Sequence, residues 1–527
     1  MLILACGLCA ALGYLAIASI WPQKNSTLSA LLIRLSLTPA FGLGIFSAIF
    51  WLMPLRGDAH VVAVDASLLG VLGFAYAVRR SHATKENTHP LSSRAKMNCP
   101  DSPGNSSQSR DLAFASHSLN QSFSSDGPDI NAPEWIARVL MACFGMALIA
   151  ALYQATVRVI AHPHGEGWDA FAIWNLHARF LFLGGAHWRG GFNSMIPWSH
   201  PDYPLLLPAA IAHLWSYLGH DDPLAPAMVG LIFTFSALAL LVSSLAWLRG
   251  RNVAMLGGLA LSSTPFFVEQ GTSQYADVPL SFFILATFVL LHMARSQNHN
   301  NQNLAAMMLS GTAASFAAWT KNEGLLFLSA LLVAQVWAAI SSSRQQDSSS
   351  ELAGKWRPFA YFVLGAAPLL CLIAWFKHTI AVRGDLLSSP SIMIQKILTP
   401  TRYWIILQWF AKELVRFGNW WIIPGTMAML AFSLLSLRRR KPDSSPLLHL
   451  SILTLILTLA GYFAIYLITP RDLYWHLRFS LNRLFLQLWP SAIFLFFLFV
   501  GRQAFAEISN GAIAPKRETV KKFTRSP

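Results

Sequence analysis

The sequence predicts an all-α, polytopic integral membrane protein, and three observations lead to this fold class. Hydrophobic residues make up 54% of the 527-residue chain and charged residues only 12%, about half of the ~25% usual in soluble domains. The apolar stretches are long and continuous, whereas a membrane β-barrel would show short alternating segments. The shortage of charge excludes an ordinary soluble enzyme, and the abundance of apolar residues excludes a disordered chain.

A membrane-spanning helix needs about 20 apolar residues, and the chain contains about 13 candidate stretches. They occupy residues 1–21, 33–55, 61–78, 135–160, 224–248, 253–268, 278–294, 303–320, 324–340, 358–378, 420–437, 447–468 and 484–500. The fold prediction is therefore a bundle of about 13 transmembrane helices.

Residues 79–134 interrupt this pattern, because Ser, Asn, Asp and Pro dominate them. We expect a disordered cytoplasmic linker in this region. The predicted parts of the chain are a three-helix membrane segment at 1–78, the linker at 79–134, a larger membrane unit at 135–500 and a basic cytoplasmic tail at 501–527.

The net charge is +15, from 39 Lys and Arg against 24 Asp and Glu. The basic residues lie in short segments between apolar stretches, which is the pattern that orients membrane proteins, so we expect no nucleic-acid partner. The clusters expected to be cytoplasmic are Arg79/Arg80, Arg249/Arg251, Arg344 with Lys355/Arg357, Arg438–Lys441 and Lys516–Arg525. All of these clusters lie on the cytoplasmic side only if residues 203–219, which contain Pro204 and Pro208, do not cross the membrane. We expect a helix in the outer interface there.

Alternation of the spans then predicts which polar segments face the periplasm. They are 161–223, 269–277, 321–323, 379–419 and 469–483. Within them, residues 402–417 mix Trp, Phe and Leu with Arg and Lys. That mixture is typical of an interfacial amphipathic helix, which we expect to shape a site without taking part in the chemistry.

Asp169 is the first candidate for chemistry, because it lies in the aromatic sequence Gly167–Trp174 at the outer surface. A carboxylate in apolar surroundings can act as a general base toward a hydroxyl group. The alternative is that Asp169 caps a helix that begins at Ala170. Asp277 poses the same choice, because it immediately precedes a span that has Pro279 in its first turn.

Lys321 and Glu323 lie between two apolar stretches with almost no loop. Placing an ionisable side chain within the membrane costs free energy, and such residues are usually functional. The alternative is a tight surface turn that holds an internal ion pair. His476, Arg478 and Arg483 form a later basic segment on the same predicted side. Arginine binds phosphate through two hydrogen bonds, although contact with lipid headgroups would also explain these residues.

Four short motifs lie on one predicted side of the membrane. They are WD at 168–169, HPDYPL at 200–205, YADVPL at 275–280 and TKNEGL at 320–325. Together they resemble the GT-C membrane glycosyltransferases, in particular the bacterial protein mannosyltransferase and lipid A aminoarabinose transferase group. The resemblance covers about residues 135–500 and implies a GT-C-like bundle with periplasmic juxtamembrane helices.

The resemblance implies an enzyme of the bacterial inner membrane that transfers a sugar from a polyprenyl-phosphate carrier to a periplasmic acceptor. Its partners would be that donor, membrane lipids and a glycan, lipid or protein acceptor. It implies Asp169 as the catalytic carboxylate, with Asp277 as a second carboxylate that shapes the donor or acceptor pocket. The candidate phosphate-binding residues are Lys321, His476, Arg478 and Arg483. The remaining candidate pocket residues are Trp168, His200, Asp202, Tyr203, Tyr275 and Glu323.

Two features depart from the family pattern. Trp168-Asp169-Ala170 stands where mannosyltransferases have an Asp-Glu pair, and the three N-terminal spans are not part of the usual core. Some relatives bind a divalent metal, for which Asp169, Asp277 and Glu323 would be the available carboxylates, although the nearby cations argue against it. No other cofactor is expected.

Two other functions remain compatible with the sequence. An O-antigen ligase or polymerase acting on a lipid-linked oligosaccharide would depend on His476 and Arg478 and tolerate loss of Asp169. A lipid transporter or flippase would typically show inverted repeats, and none is evident. The sequence contains no Gly-rich phosphate loop, HExxH motif or GxSxG motif.

Overall fold

The computed structural model describes residues 1–21, 28–52, 58–88, 134–296, 300–343, 349–382, 390–420 and 445–500. All regular secondary structure within these ranges is helical. Ten of the described helices are long and apolar enough to cross a membrane. The prediction of an all-α polytopic membrane protein is therefore confirmed, while the number of 13 spans is not.

The chain begins with helices α1 (Leu2–Ile20), α2 (Leu28–Leu52) and α3 (Asp58–Thr88). Helices α1 and α2 approach closely at two glycines. A Cβ atom on Gly13 would lie 2.0 Å from the Thr38 carbonyl oxygen, and one on Gly42 would lie 2.0 Å from that of Cys9. Small residues allow such backbone contact between membrane helices. Helix α3 continues through residues 79–88, the first part of the predicted linker.

Next come α4 (Glu134–Ala161), a π-helical turn (Ala170–Trp174), α5 (Asn175–Leu183) and α6 (Leu206–Leu218), with short 3-10 turns between α5 and α6. Helix α6 is 13 residues long, so it is too short to cross a membrane, as predicted. We expected this helix to lie in or dip into the outer lipid interface, but it does not present a lipid-facing surface. Every residue from Leu206 to Tyr217 is buried, because α2, α5 and the helix that follows enclose it.

The central helices follow in order. They are α7 (Leu224–Arg249), α8 (Arg251–Ser262), α9 (Pro265–Thr272), α10 (Asp277–Ser296), α11 (Asn300–Thr320), α12 (Asn322–Ser343) and α13 (Ser349–Thr379). The predicted span at 253–268 is wrong, because the chain breaks at Ser263–Thr264 before Pro265, a residue that disfavours helix in the one before it. The predicted span at 303–320 forms α11, which is not apolar enough to be among the candidate spans.

The described chain ends with α14 (Pro390–Ile397), α15 (Pro400–Arg416), α16 (Pro446–Ile468) and α17 (Leu473–Phe499). Helix α15 exposes Trp404, Leu407 and Leu414, which agrees with the predicted amphipathic helix at 402–417. Its Arg402 guanidinium donates to the Tyr466 carbonyl oxygen at 2.9 Å, and thereby caps the end of α16. The predicted span at 420–437 and the predicted tail at 501–527 lie outside the described residues.

Helix α10 is the centre of the bundle, since 94% of its span is buried. It packs against α7, α11 and α17. Helices α10, α12 and α17 begin at one end of the bundle, where α11 and α13 finish. We call this the site end, because the candidate residues of four different chain segments meet there.

Candidate active site

Arg483 links the predicted residues of the site end. It lies in the third turn of α17, and its guanidinium uses two nitrogens to bind two carboxylates. Nη1 lies 2.7 Å from Oδ2 of Asp169, and Nε donates to Oδ2 of Asp277 at 2.7 Å. The guanidinium carbon lies 4.6 Å from the centre of the Tyr275 ring, a cation–π geometry. One arginine therefore joins the two carboxylates that the sequence predicted and fixes their separation.

Asp277 is completely buried at the start of α10. Its Oδ1 accepts a hydrogen bond from Nε2 of Gln487 at 2.6 Å and one from Nζ of Lys321 at 3.1 Å. Both oxygens of Asp277 are therefore engaged by α17 and Lys321, so the carboxylate does more than cap its own helix. The Tyr462 hydroxyl in turn donates to Oε1 of Gln487 at 2.8 Å.

Lys321 occupies the single residue between α11 and α12 and is only 5% exposed, so the alternative of a surface turn is wrong. Its ammonium group contacts Asp277 and lies 2.9 Å from Oε1 of Glu323. Burial lowers the pKa of Lys321, but the two carboxylates outweigh burial and raise it above its usual value. The turn requires Gly324, because a Cβ atom there would lie 1.9 Å from the Ala317 carbonyl oxygen.

One carboxylate oxygen of Glu323 forms an ion pair, and the other has no hydrogen-bond partner among the described residues. Oε1 pairs with Lys321, whereas Oε2 is buried and has no hydrogen-bond partner among the described residues. A buried acceptor without a donor is costly, and such an atom usually has a ligand or water as its partner. Oε2 is therefore a place where a hydroxyl group could bind. We refer below to Asp169, Asp277, Lys321, Glu323 and Arg483 as the carboxylate–cation network.

The segment 200–205 forms one wall beside this network. His200 has a left-handed backbone (φ 51°), and its ring stacks on Tyr203 with 4.6 Å between centroids. Lys321 Nζ lies 5.9 Å from the centre of the Tyr203 ring. Burial, then the charges of Glu323 and two neighbouring aspartates, raises the pKa of the Tyr203 hydroxyl. Tyr203 is therefore a neutral hydrogen-bonding wall of the site.

Asp202 is tied to the same turn by residues that the sequence analysis did not single out. Its Oδ2 accepts from Nδ2 of Asn322 at 2.7 Å. Lys377, near the end of α13, donates to Oδ1 of Asn322 at 2.7 Å and also to the Asp202 carbonyl oxygen. Lys377 could have been noticed as a lysine within the otherwise apolar predicted span at 358–378.

Asp169 begins the π-helical turn but does not cap it, because its side chain makes no capping hydrogen bond. It is 21% exposed, while the adjacent Trp168 is exposed at the surface. The turn is positioned by Gly167 (φ 83°), where a Cβ atom would lie 2.4 Å from the Tyr275 hydroxyl oxygen. Burial, then the charge of Asp169, raises the pKa of Tyr275 to about 12. π-Helical turns are frequent at functional sites.

His476 and Arg478 lie on the first turns of α17, before Arg483. His476 Nδ1 is 2.9 Å from Oγ1 of Thr469, and the imidazole meets the Tyr466 ring edge-on at 4.9 Å. Arg478 is exposed, with its guanidinium carbon 5.7 Å from the centre of the Phe479 ring. The structure thus brings Lys321 and Arg483 together, whereas Arg478 faces outward from the bundle.

The described residues do not suit a divalent metal at this site. Both oxygens of Asp277 and Oε1 of Glu323 are already bound by cationic or amide groups. A hard metal ion would have to displace those donors and would be repelled by the lysine and arginine. Within the described ranges, no three His, Cys, Asp or Glu side chains form a metal-binding group.

Comparison with known proteins shows which protein family part of the chain resembles. Residues 212–382 match the family model of dolichyl-phosphate-mannose-protein mannosyltransferases. No curated protein and no solved structure matches the chain. The matched range includes Asp277, Lys321 and Glu323, and it agrees with the resemblance drawn from the motifs. Residues 212–382 are therefore similar to a dolichyl-phosphate-mannose-protein mannosyltransferase domain, a GT-C glycosyltransferase family, and this similarity supports a membrane glycosyltransferase that uses a polyprenyl-phosphate-linked sugar donor.

Proposed function

We propose that the site end faces the periplasm and that the sugar is transferred there, in the inner membrane of a bacterium, with Asp169 as the general base. The observation that carries this proposal is the ion pair between Arg483 and Asp169. It holds Oδ2 of a partly exposed carboxylate and leaves Oδ1, which accepts no hydrogen bond from the described residues, to accept a proton.

The reaction needs three functions, and the network supplies residues for each. Asp169 takes the proton of the acceptor hydroxyl as its oxygen attacks the anomeric carbon. The bond from that carbon to the phosphate oxygen breaks, and negative charge develops on the lipid phosphate. Arg483 and Lys321 stabilise this charge, because they are held in place before the reaction begins. Glu323 Oε2 accepts a hydrogen bond from a hydroxyl of the sugar or the acceptor.

Asp277 acts on the reacting groups only through its neighbours. Both of its oxygens are occupied, so it is a positioning residue that orients Arg483 and Lys321. The network contains three carboxylates and two cations, which leaves one excess negative charge. Phosphate binding therefore needs a further donor, and we assign this part to His476 rather than to the outward-facing Arg478. His476 lies seven residues before Arg483, which puts the two on one side of α17.

The charge distribution supports the periplasmic orientation of the site end. Several cations at this end are neutralised by carboxylates, as Arg158 is by Glu166 and Arg179 is by Asp221. The opposite end carries Arg249, whose guanidinium donates to the Leu498 carbonyl oxygen at 2.7 Å. An excess of Lys and Arg marks the cytoplasmic side of membrane proteins, which agrees with the position of Arg249 and Arg251 at the opposite end.

Mass spectrometry of lipids that copurify with the full-length protein tests the proposed donor. We expect a polyprenyl phosphate or its single-sugar conjugate with the wild type, and its loss with Arg483→Ala. Arg179→Ala is the matched control, because it removes an arginine from a half-exposed ion pair at the same end. Loss in both variants, or retention in both, contradicts the assignment of Arg483. A copurified lipid-linked oligosaccharide would instead favour a ligase or polymerase.

A further inference from the structure

The outer end of α2 lies among the segments that carry the site residues. Ser47 is completely buried and makes two hydrogen bonds to other parts of the chain. Its hydroxyl donates to the Leu205 carbonyl oxygen at 3.1 Å and accepts from Nε1 of Trp319 at 2.9 Å. Leu205 follows Tyr203 by two residues, and Trp319 precedes Lys321 by two residues. One serine therefore connects the chain segment that carries Tyr203 with the segment that carries Lys321.

Trp51 adds a third segment, one turn further along α2. Its ring meets those of Trp319, Trp375 and Phe376 with centroid distances of 6.4, 5.5 and 5.6 Å. Phe376 immediately precedes Lys377 in the sequence, and Trp51 is only 7% exposed. Aromatic side chains contribute large buried areas and prefer defined relative orientations, so Trp51 restricts the position of the α13 end relative to the Lys321 turn.

A buried polar cluster fixes the same N-terminal helices to α6. Nε2 of His213 lies 2.8 Å from Oδ2 of Asp65, and Tyr217 donates its hydroxyl to that oxygen. Nδ1 of His213 lies 3.0 Å from the Phe46 carbonyl oxygen. Because a carbonyl only accepts, Nδ1 of His213 is the donor to Phe46, and Nε2 faces the Asp65 carboxylate. Such a cluster resists separation, since one partner alone would be buried unpaired.

We propose that the N-terminal three-helix segment is a positioning element of the active site, in which Ser47 and Trp51 set the spacing of the chain segments that carry Tyr203, Lys321 and Lys377. The proposed function is needed only to identify these segments as the site. In this arrangement α2 is not a separate anchor. It lies between the segment 200–205 and the α11–α12 turn. The Asp65–His213–Tyr217 cluster holds it there.

Hydrogen exchange of the full-length protein in detergent tests this proposal without requiring activity. In Ser47→Ala we expect exchange to rise about fivefold at the backbone amides of 200–206 and 319–323, as the loss of a buried hydrogen bond implies. Exchange in 450–465 of α16 should stay unchanged. The matched control is Ser36→Ala in the same helix. Among the described residues, Ser36 bonds only the Leu32 carbonyl of its own helix, so this variant should leave exchange at 200–206 and 319–323 unchanged.

A second variant covers the case in which Ser47→Ala does not fold. Trp51→Phe keeps an aromatic ring, and we expect it to raise exchange at residues 375–379 and 319–323. A rise shared equally by α16 and α17 in either variant, or no rise at the site segments, would overturn the proposal. Sugar transfer is measured in parallel per folded enzyme, and a positioning role lowers kcat with donor KM within about twofold. Local exchange changes in a protein without transferase activity would refute the proposed function but leave this positioning role standing.

Discussion

Replacing Asp277 by asparagine tests how strongly the network depends on one buried charge. The side chain keeps its shape, but one of its two acceptor oxygens becomes an amide donor. Three donors converge on Asp277, from Arg483, Lys321 and Gln487. Whichever way the new amide turns, at least one donor meets another donor, and the buried cations lose their shared counter-charge.

The magnitude follows from the complete burial of this carboxylate. Removing one partner of a buried ion pair costs about 3–5 kcal/mol, because the remaining charge is left without compensation. We therefore expect Asp277→Asn to lower the free energy of unfolding by about 3–5 kcal/mol. Transfer should fall as well, since Arg483 would no longer be held toward Asp169.

Unfolding by SDS in mixed micelles measures this free energy. The control is Asp221→Asn, which removes the carboxylate of a half-exposed pair with Arg179 and should cost less than about 1 kcal/mol. If both substitutions cost the same small amount, then Asp277 does not hold the network together, and the reasoning from burial is refuted.

Three further predictions concern single residues. Arg483→Lys keeps the charge but cannot bind Asp169 and Asp277 through two nitrogens. Turnover of a saturating polyprenyl-phosphate-sugar donor should therefore fall about 100-fold. Near-normal turnover would contradict this expectation. Gly167→Ala should destabilise the protein by about 1–2 kcal/mol in the SDS assay because of its positive φ, and a neutral result would show that the turn relaxes. His177 is buried, and desolvation, then a neighbouring histidine, lowers its pKa to about 3. The unfolded chain therefore binds the proton first, so stability is full above pH 6.5 and falls by about 1.4 kcal/mol per pH unit between pH 6.5 and about 3. His177→Gln should remove this contribution to the slope, and an unchanged slope would assign it elsewhere.

The spans were predictable wherever one helix contains a long uninterrupted apolar run, as in α7, α10 and α16. Hydropathy failed at 253–268, because it does not register the break before Pro265. It also described α6 incorrectly, since apolar composition does not distinguish a helix that faces lipid from one that α2 encloses. Contacts with other helices decide that difference, and they involve residues distant in the sequence.

The site was predictable to the extent that its charged residues stand out in an apolar chain. Asp277 and Lys321 were identified in this way. Two further residues, Gln487 and Lys377, were not identified, because they lie inside predicted spans where a single polar residue has several explanations. The same limit applies to Asp65, the only charged residue in the predicted span at 61–78, because nothing in the sequence indicates that His213 is its partner.

The most direct test of the central claim measures the release of polyprenyl phosphate from a polyprenyl-phosphate-sugar donor by wild-type protein and by Asp169→Asn. Both proteins are reconstituted in vesicles and compared at equal folded amounts. The account predicts release by the wild type and a loss of at least about 100-fold in the variant, with unchanged insertion and unfolding within about 1 kcal/mol. Full activity of Asp169→Asn would contradict the assignment of Asp169 as the general base.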